Sequence, residues 1–171
     1  SVLNHGQKVY VDRVIDGAEL AEMNLKFCQC EEDASNAILL YNDALTHARR
    51  VRGATMPAAS VEEMTRMLGL ACEKLKRFIE MRCSIAKERG DQQAYCAALI
   101  DFAAVCLDMS EHAPAALFAS RALMTLEVLW GKLETDEQRL TMSKTRNSAT
   151  RIMVNSLYYL GKIEHALETA E

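Results

Sequence analysis

The chain has 171 residues, half of them apolar and 26% charged, and its net charge at neutral pH is −4. That is enough apolar material to bury one substantial core without disulfides or a metal. The charge is close to balanced, with 13 basic and 13 acidic side chains in residues 1–90 and 7 and 11 in residues 91–171. Neither half is therefore a nucleic-acid binder by charge alone, and no run of about 18 apolar residues is present to span a bilayer.

Two prolines and seven glycines are all that interrupt the chain, and the period-2 alternation of a half-buried strand is missing, so the elements are expected to be helices. Residues 8 to about 31 place Val11, Val14, Ile15, Leu20, Leu25 and Cys28 at helical spacing, with Gly17 as a weak point. A polar break, "EEDASN", precedes a second helix over residues 37–52, closed by Gly53. Arg49, Arg50 and Arg52 crowd its last turn, where cations complement the negative end of the helix dipole.

After the linker "ATMPAAS", Ser60 with Glu63 three residues on reads as a capping box, and Gly69 as the end of that helix. Residues 70–89 form the next helix, stopped by Gly90, and Asp91 caps the one after it. Ser110, Glu111 and Pro114 turn the following corner, and Gly131 ends the helix beyond. A long helix then runs to Gly161, and another starts at Lys162. The pattern predicts about eight helices in four antiparallel pairs. Because the chain opens at Ser1 without an initiator Met and "IEHALETAE" stops in mid-pattern, a fragment of a longer protein is expected.

The glycines disclose a repeat. Gly53, Gly90 and Gly131 each stand sixteen residues after Ala37, Lys74 and Ala115, and Ala166 occupies the matching place after Gly161, so successive units are offset by 37, 41 and 51 residues. One helix hairpin per unit at such a period marks an α-solenoid, in which each hairpin buries its apolar face by stacking on the next. The fold expected is all-α, an α-α superhelix in one domain over residues 1–171, with repeats at about 8–53, 58–90, 91–131 and 134–171.

These residues resemble the tetratricopeptide (TPR) family. "VNSLYYLGKIEHALETA" is similar to the end of a first TPR helix, its glycine turn and the start of the second helix, and Ala37 with Ala44 and Ala115 with Ala122 sit like the family's small residues. "IAKERGDQQAYCAALIDFAAV" is similar to the longer-helix TPRs of the kinesin light chain and of the Leu-Gly-Asn mitotic-orientation adaptor. The likeness covers about 150 residues and departs from the pattern in places. Ala21, Leu99 and Thr150 stand where an early aromatic belongs, Lys74 and Arg82 replace the small residues of repeat two, and no proline ends a repeat. TPR-like helix pairs of the soluble NSF attachment protein kind fit the same description.

No motif for chemistry accompanies the helices. His5, His47, His112 and His165 lie far apart with no His-Glu-x-x-His, and Gly-x-Ser-x-Gly, Gly-x-Gly-x-x-Gly and the P-loop are missing, so no catalytic residue, metal site or cofactor is expected. Glu62 and Glu63 read as a solvated helix start. The six cysteines have no Cys-x-x-Cys spacing and read as packing residues, as free thiols in a reducing cytoplasm. In "EKLKRFIEMRCSIAKER" the basic side chains are interleaved with Glu73, Glu80 and Glu88, a solvated face in which Glu73 is expected to pair with Arg77 and Glu80 with Lys87. The period and faces do not match those of pentatricopeptide RNA readers. The nine methionines read as core filler, or as an adaptable groove if exposed.

The TPR resemblance implies a binding module whose first helices line a concave groove. The lining would be Glu22, Lys26 and Gln29, then Glu63 and Arg66, then Asp101, Ala104 and Asp108, then Arg151, Asn155 and Tyr158. Asn155 can hold a peptide backbone with donor and acceptor together, and Arg151 can grip a carboxylate through two N–H groups. Glu22 stands where the clamp lysine of chaperone-binding TPRs would be needed, which disfavours a cochaperone role. The expected partner is another protein, presenting a peptide or helix, with no nucleic acid and no membrane insertion. The location expected is cytoplasmic, extending to the cytoskeleton on the kinesin light chain likeness. The alternative is an architectural solenoid segment that self-associates or assembles in a larger complex without a peptide ligand.

Overall fold

The computed structural model describes residues 5–50, 58–161 and 168–170, with the side chains of residues 58 and 59 left aside. Among the described residues there are no strands, and the helices come in the order α1 (His5–Lys26), α2 (Glu31–Arg50), α3 (Ala58–Arg89), α4 (Gln92–Asp108), α5 (His112–Trp130) and α6 (Asp136–Tyr159). None of them is long and apolar enough to cross a membrane. The chain divides into two compact units, Ser1–Phe78 and Ile79–Glu171, and the boundary falls inside α3. The expected stop at Gly53 and the matching small residue Ala166 lie outside the described residues.

In the first unit α1 packs on α2. On α2 the buried positions Ala34, Ala37, Tyr41, Ala44, Leu45 and Ala48 recur at spacings of three and four, which puts them on one face. Because most of that face is alanine, α1 lies close: a Cβ built on Gly17 would sit 3.8 Å from the Ala44 Cβ. Val14, Ala21 and Leu25 of α1 and Met64 and Ala71 of α3 complete the same core.

Two sequence expectations need correction here. The first helix ends at Lys26 and the polar stretch after it is not a break, because Glu31, Glu32 and Asp33 form the first turn of α2. Carboxylates are favoured at that positive helix end. Asp33 also accepts the Gln29 backbone N–H at 2.9 Å, which holds its carboxyl below the usual carboxylate range and fixes the short connection.

The second correction concerns the repeat expected at about 58–90, where Ala58–Arg89 is one continuous 32-residue helix and not a hairpin. Ser60 lies inside its first turn, and Gly69 lies in the helix interior with nothing near a Cβ added there. A single glycine costs a helix only about 1 kcal/mol. The buried series Met64, Ala71, Cys72, Leu75 and Ile79 carries the helix through it.

In the second unit α4 packs on α5, α5 on α6, and α4 also touches α6. The central α4 is buried on nearly every side, with Leu99, Ile100, Phe102, Ala103, Val105 and Cys106 among its enclosed residues. The ring of Phe102 meets that of Phe118 at 4.4 Å between centroids. On α5, Ala115, Ala119, Ala122, Leu126 and Leu129 make a single stripe against these neighbours. Arg82 donates to Asp101 at 2.6 Å and ties the end of α3 to α4.

The corners follow the sequence closely in this unit. Gly90 closes α3 with φ +67°, and Asp91 accepts the Ala94 N–H to cap α4. Ser110 takes φ +59° between α4 and α5, and Gly161 takes φ +74° after α6. Gly131 also ends a helix, but in right-handed conformation. The start of α6 is a reciprocal cap: Thr135 accepts the Gln138 N–H while the Gln138 side chain accepts the Thr135 N–H.

Candidate functional site

The first unit contains two neighbouring clefts. One, about 360 Å³, lies where α1 and the start of α3 pass over Tyr41 of α2. Val14, Ile15, Ala18, Met64 and Met67 supply apolar walls, and Glu19, Glu22, Ser60 and Glu63 the polar lining. The other, about 460 Å³, continues between α1 and α3, with Leu25, Met67 and Leu70 among Lys26, Lys74, Arg77, Glu22 and Glu73. Glu22 and Met67 line both. The cleft over Tyr41 is acidic and its neighbour richer in cations.

Tyr41 is the unusual residue. It is 2% exposed, and its hydroxyl has no hydrogen-bond partner, a condition that among the described buried side-chain N and O atoms it shares only with His112 Nδ1. An unmade bond at a buried hydroxyl costs about 1–3 kcal/mol, so such groups are uncommon. Burial, with the Glu22 and Glu63 charges nearby, pushes the phenol above its ordinary value, and Arg66 opposes them weakly. The group is thus a neutral phenol, able to donate one hydrogen bond and to accept another.

The carboxylates around it are not equivalent. Arg66 grips Glu63 through two contacts, 2.9 and 2.6 Å, which holds the Glu63 carboxyl below its ordinary range. Glu19 and Glu22 are exposed, and neither has an ion pair among the described residues. The acidic character of the cleft therefore comes mainly from these two.

All nine side chains expected to bind a partner are exposed. Glu22 lines both clefts, with Glu63 in the first and Lys26 in the second, whereas Arg66 is engaged with Glu63 and Gln29 lies in the connection after α1. In the second unit Asp101 is committed to Arg82, and Asp108 stands at the end of α4 with its carboxyl pushed up by desolvation. Arg151, Asn155 and Tyr158 follow one another along an exposed face of α6 and line neither cleft. Tyr158 meets the edge of Tyr159.

Other expectations fare unevenly. The expected Glu73–Arg77 pair gives way to Glu73 with Lys76, at 3.2 Å. The cysteines are free thiols, four of them buried, with Cys83 half-buried and Cys30 exposed. Cys28 and Cys30 lie in the connection and not on a helix. Met64 and Met142 are buried, as core filler should be, but Met67 lines both clefts. No group of three or more His, Cys, Asp or Glu side chains that could hold a metal ion occurs among the described residues.

Tyr41 and Met67 were not anticipated as site residues. The available signal was a lone large hydroxyl-bearing side chain in a stripe otherwise built mainly of alanine, Ala34, Ala37, Tyr41, Ala44 and Ala48. No protein-family model, no curated protein and no solved structure matches the chain.

Proposed function

We propose that the chain is a TPR-like protein-interaction module, a scaffold or adaptor that holds a segment of another protein in the groove between α1 and the first part of α3. The observation that carries this reading is a pair of neighbouring clefts sharing Glu22 and Met67, partly apolar and lined with charge of both signs. Peptide and helix grooves are of this kind: apolar pockets supply affinity and a few polar groups fix the register. A cytoplasmic setting, with reduced cysteines, accords with it.

The experiment is selection of a random 12-residue peptide library on the 171-residue chain. Enriched peptides should lose at least ten-fold in affinity when Glu22→Lys and Met67→Ala are combined, with helicity by circular dichroism unchanged. Selection that enriches nothing, or peptides indifferent to both changes, would count against the groove.

The second reading, an architectural segment that assembles with copies of itself or with neighbours, draws on α5. Leu117, Met124 and Val128 are 50%, 65% and 59% exposed and lie along one side of that helix. Sedimentation equilibrium separates the two: assembly reversed by Met124→Glu with Val128→Glu supports the architectural role.

A further inference from the structure

We infer that the cleft over Tyr41 receives a cationic head on an apolar stem, an arginine or lysine side chain of the partner flanked by apolar residues. The inference rests on the groove reading and names the chemistry at its acidic end. Two observations carry it. The walls made by Val14, Ile15 and Met64 suit methylene groups, and a guanidinium or ammonium carries such a stem. Glu19 and Glu22 present two carboxylates without a cation of their own among the described residues, while Glu63 already has Arg66.

A guanidinium entering this space can donate N–H bonds to the Glu19 or Glu22 carboxylate. An acidic side chain would meet the opposite: two like charges and no unpaired cation. The basic stretch of Lys26, Lys74 and Arg77 lies in the adjoining cleft, so an acidic residue of the partner belongs there.

The test uses 4-phenylbutylguanidine, its neutral urea isostere and 5-phenylpentanoate as probes of the 171-residue chain, with binding read by saturation-transfer NMR. The guanidine should bind at least ten-fold more tightly than the urea, and the carboxylate should not bind. Glu19→Gln with Glu22→Gln should abolish the preference. Equal binding of guanidine and urea, or preference for the carboxylate, overturns the inference and leaves the groove reading standing. If no probe binds while library peptides still do, the inference falls alone; if neither binds, both fall.

Discussion

The two units bury their hydroxyl groups in opposite ways. In the second, Ser156 is fully enclosed and donates to the Ile152 carbonyl at 2.7 Å, and even the Cys96 thiol reaches the Ala122 carbonyl at 3.7 Å. In the first, Tyr41 is nearly as deeply enclosed and its ring lies beside a cleft, but its hydroxyl meets no partner. An unmade bond is not confined to the first unit, since His112 Nδ1 of α5 also lacks a partner; the contrast is between two hydroxyls, one satisfied inside its own helix and one left unsatisfied next to a cleft. On the proposed reading, recognition falls to α1, α2 and the start of α3.

The largest effect should come from breaking the closed core. Phe102→Ala should cost about 3–5 kcal/mol, because the ring is enclosed and packed on Phe118. Met67→Ala, a half-buried cleft residue, should cost about 1 kcal/mol. Urea unfolding followed by circular dichroism measures both, and equal costs would remove the contrast.

Alkaline titration sharpens it next. Burial pushes the Cys96 thiol up to about 11 from 9.0, so the unfolded chain releases that proton first as pH rises. The stability contributed is whole below about pH 9 and is lost between about pH 9 and 11, on the order of 2–3 kcal/mol. Tyr41, also raised, acts in the same direction at its higher ordinary value. Cys96→Ala should flatten the first part of the decline in a series of urea midpoints against pH; an unchanged slope would assign the loss elsewhere.

Tyr41→Phe should stabilise the chain by about 1–3 kcal/mol, the cost of the unmade hydrogen bond. Loss of stability in the thermal scan would mean that the hydroxyl does have a partner, and the two cores would then be alike.

Glycine substitutions should give the smallest changes, with opposite signs. Gly17→Ala and Gly69→Ala should each stabilise by about 0.5–1 kcal/mol, since both lie in helix interiors and the added Cβ finds ordinary contact or open space. Gly90→Ala should destabilise by about 1–2 kcal/mol or less, because its φ is +67°. Differential scanning calorimetry of the three variants checks the signs. A destabilising Gly69→Ala would restore the corner that the sequence pattern suggests there.

Much of the fold was legible because its determinants are local. Asp91 after Gly90 fixes a corner by a cap and a left-handed residue, and the alanines at residues 37, 44, 115 and 122 are all buried where helices approach. Gly69 misled because the same residue type stops one helix and is carried through another, depending on whether the buried series continues beyond it. The start of α2 misled because Glu31, Glu32 and Asp33 look like a solvated break, although a helix dipole favours them. The site was less legible still. Exposure of Glu22 and Lys26 follows from helical periodicity, but that Tyr41 lacks a partner depends on what α1 and α3 bring near its hydroxyl, and no spacing along the chain encodes an absence.

Methionine-methyl NMR of the 171-residue chain, titrated with a library-selected peptide, tests the groove at its walls. The Met64 and Met67 methyl signals should move with peptide concentration while those of Met124 and Met142 of the second unit stay in place. Movement of Met124 and Met142, with Met64 and Met67 still, would put recognition in the second unit and overturn the proposal.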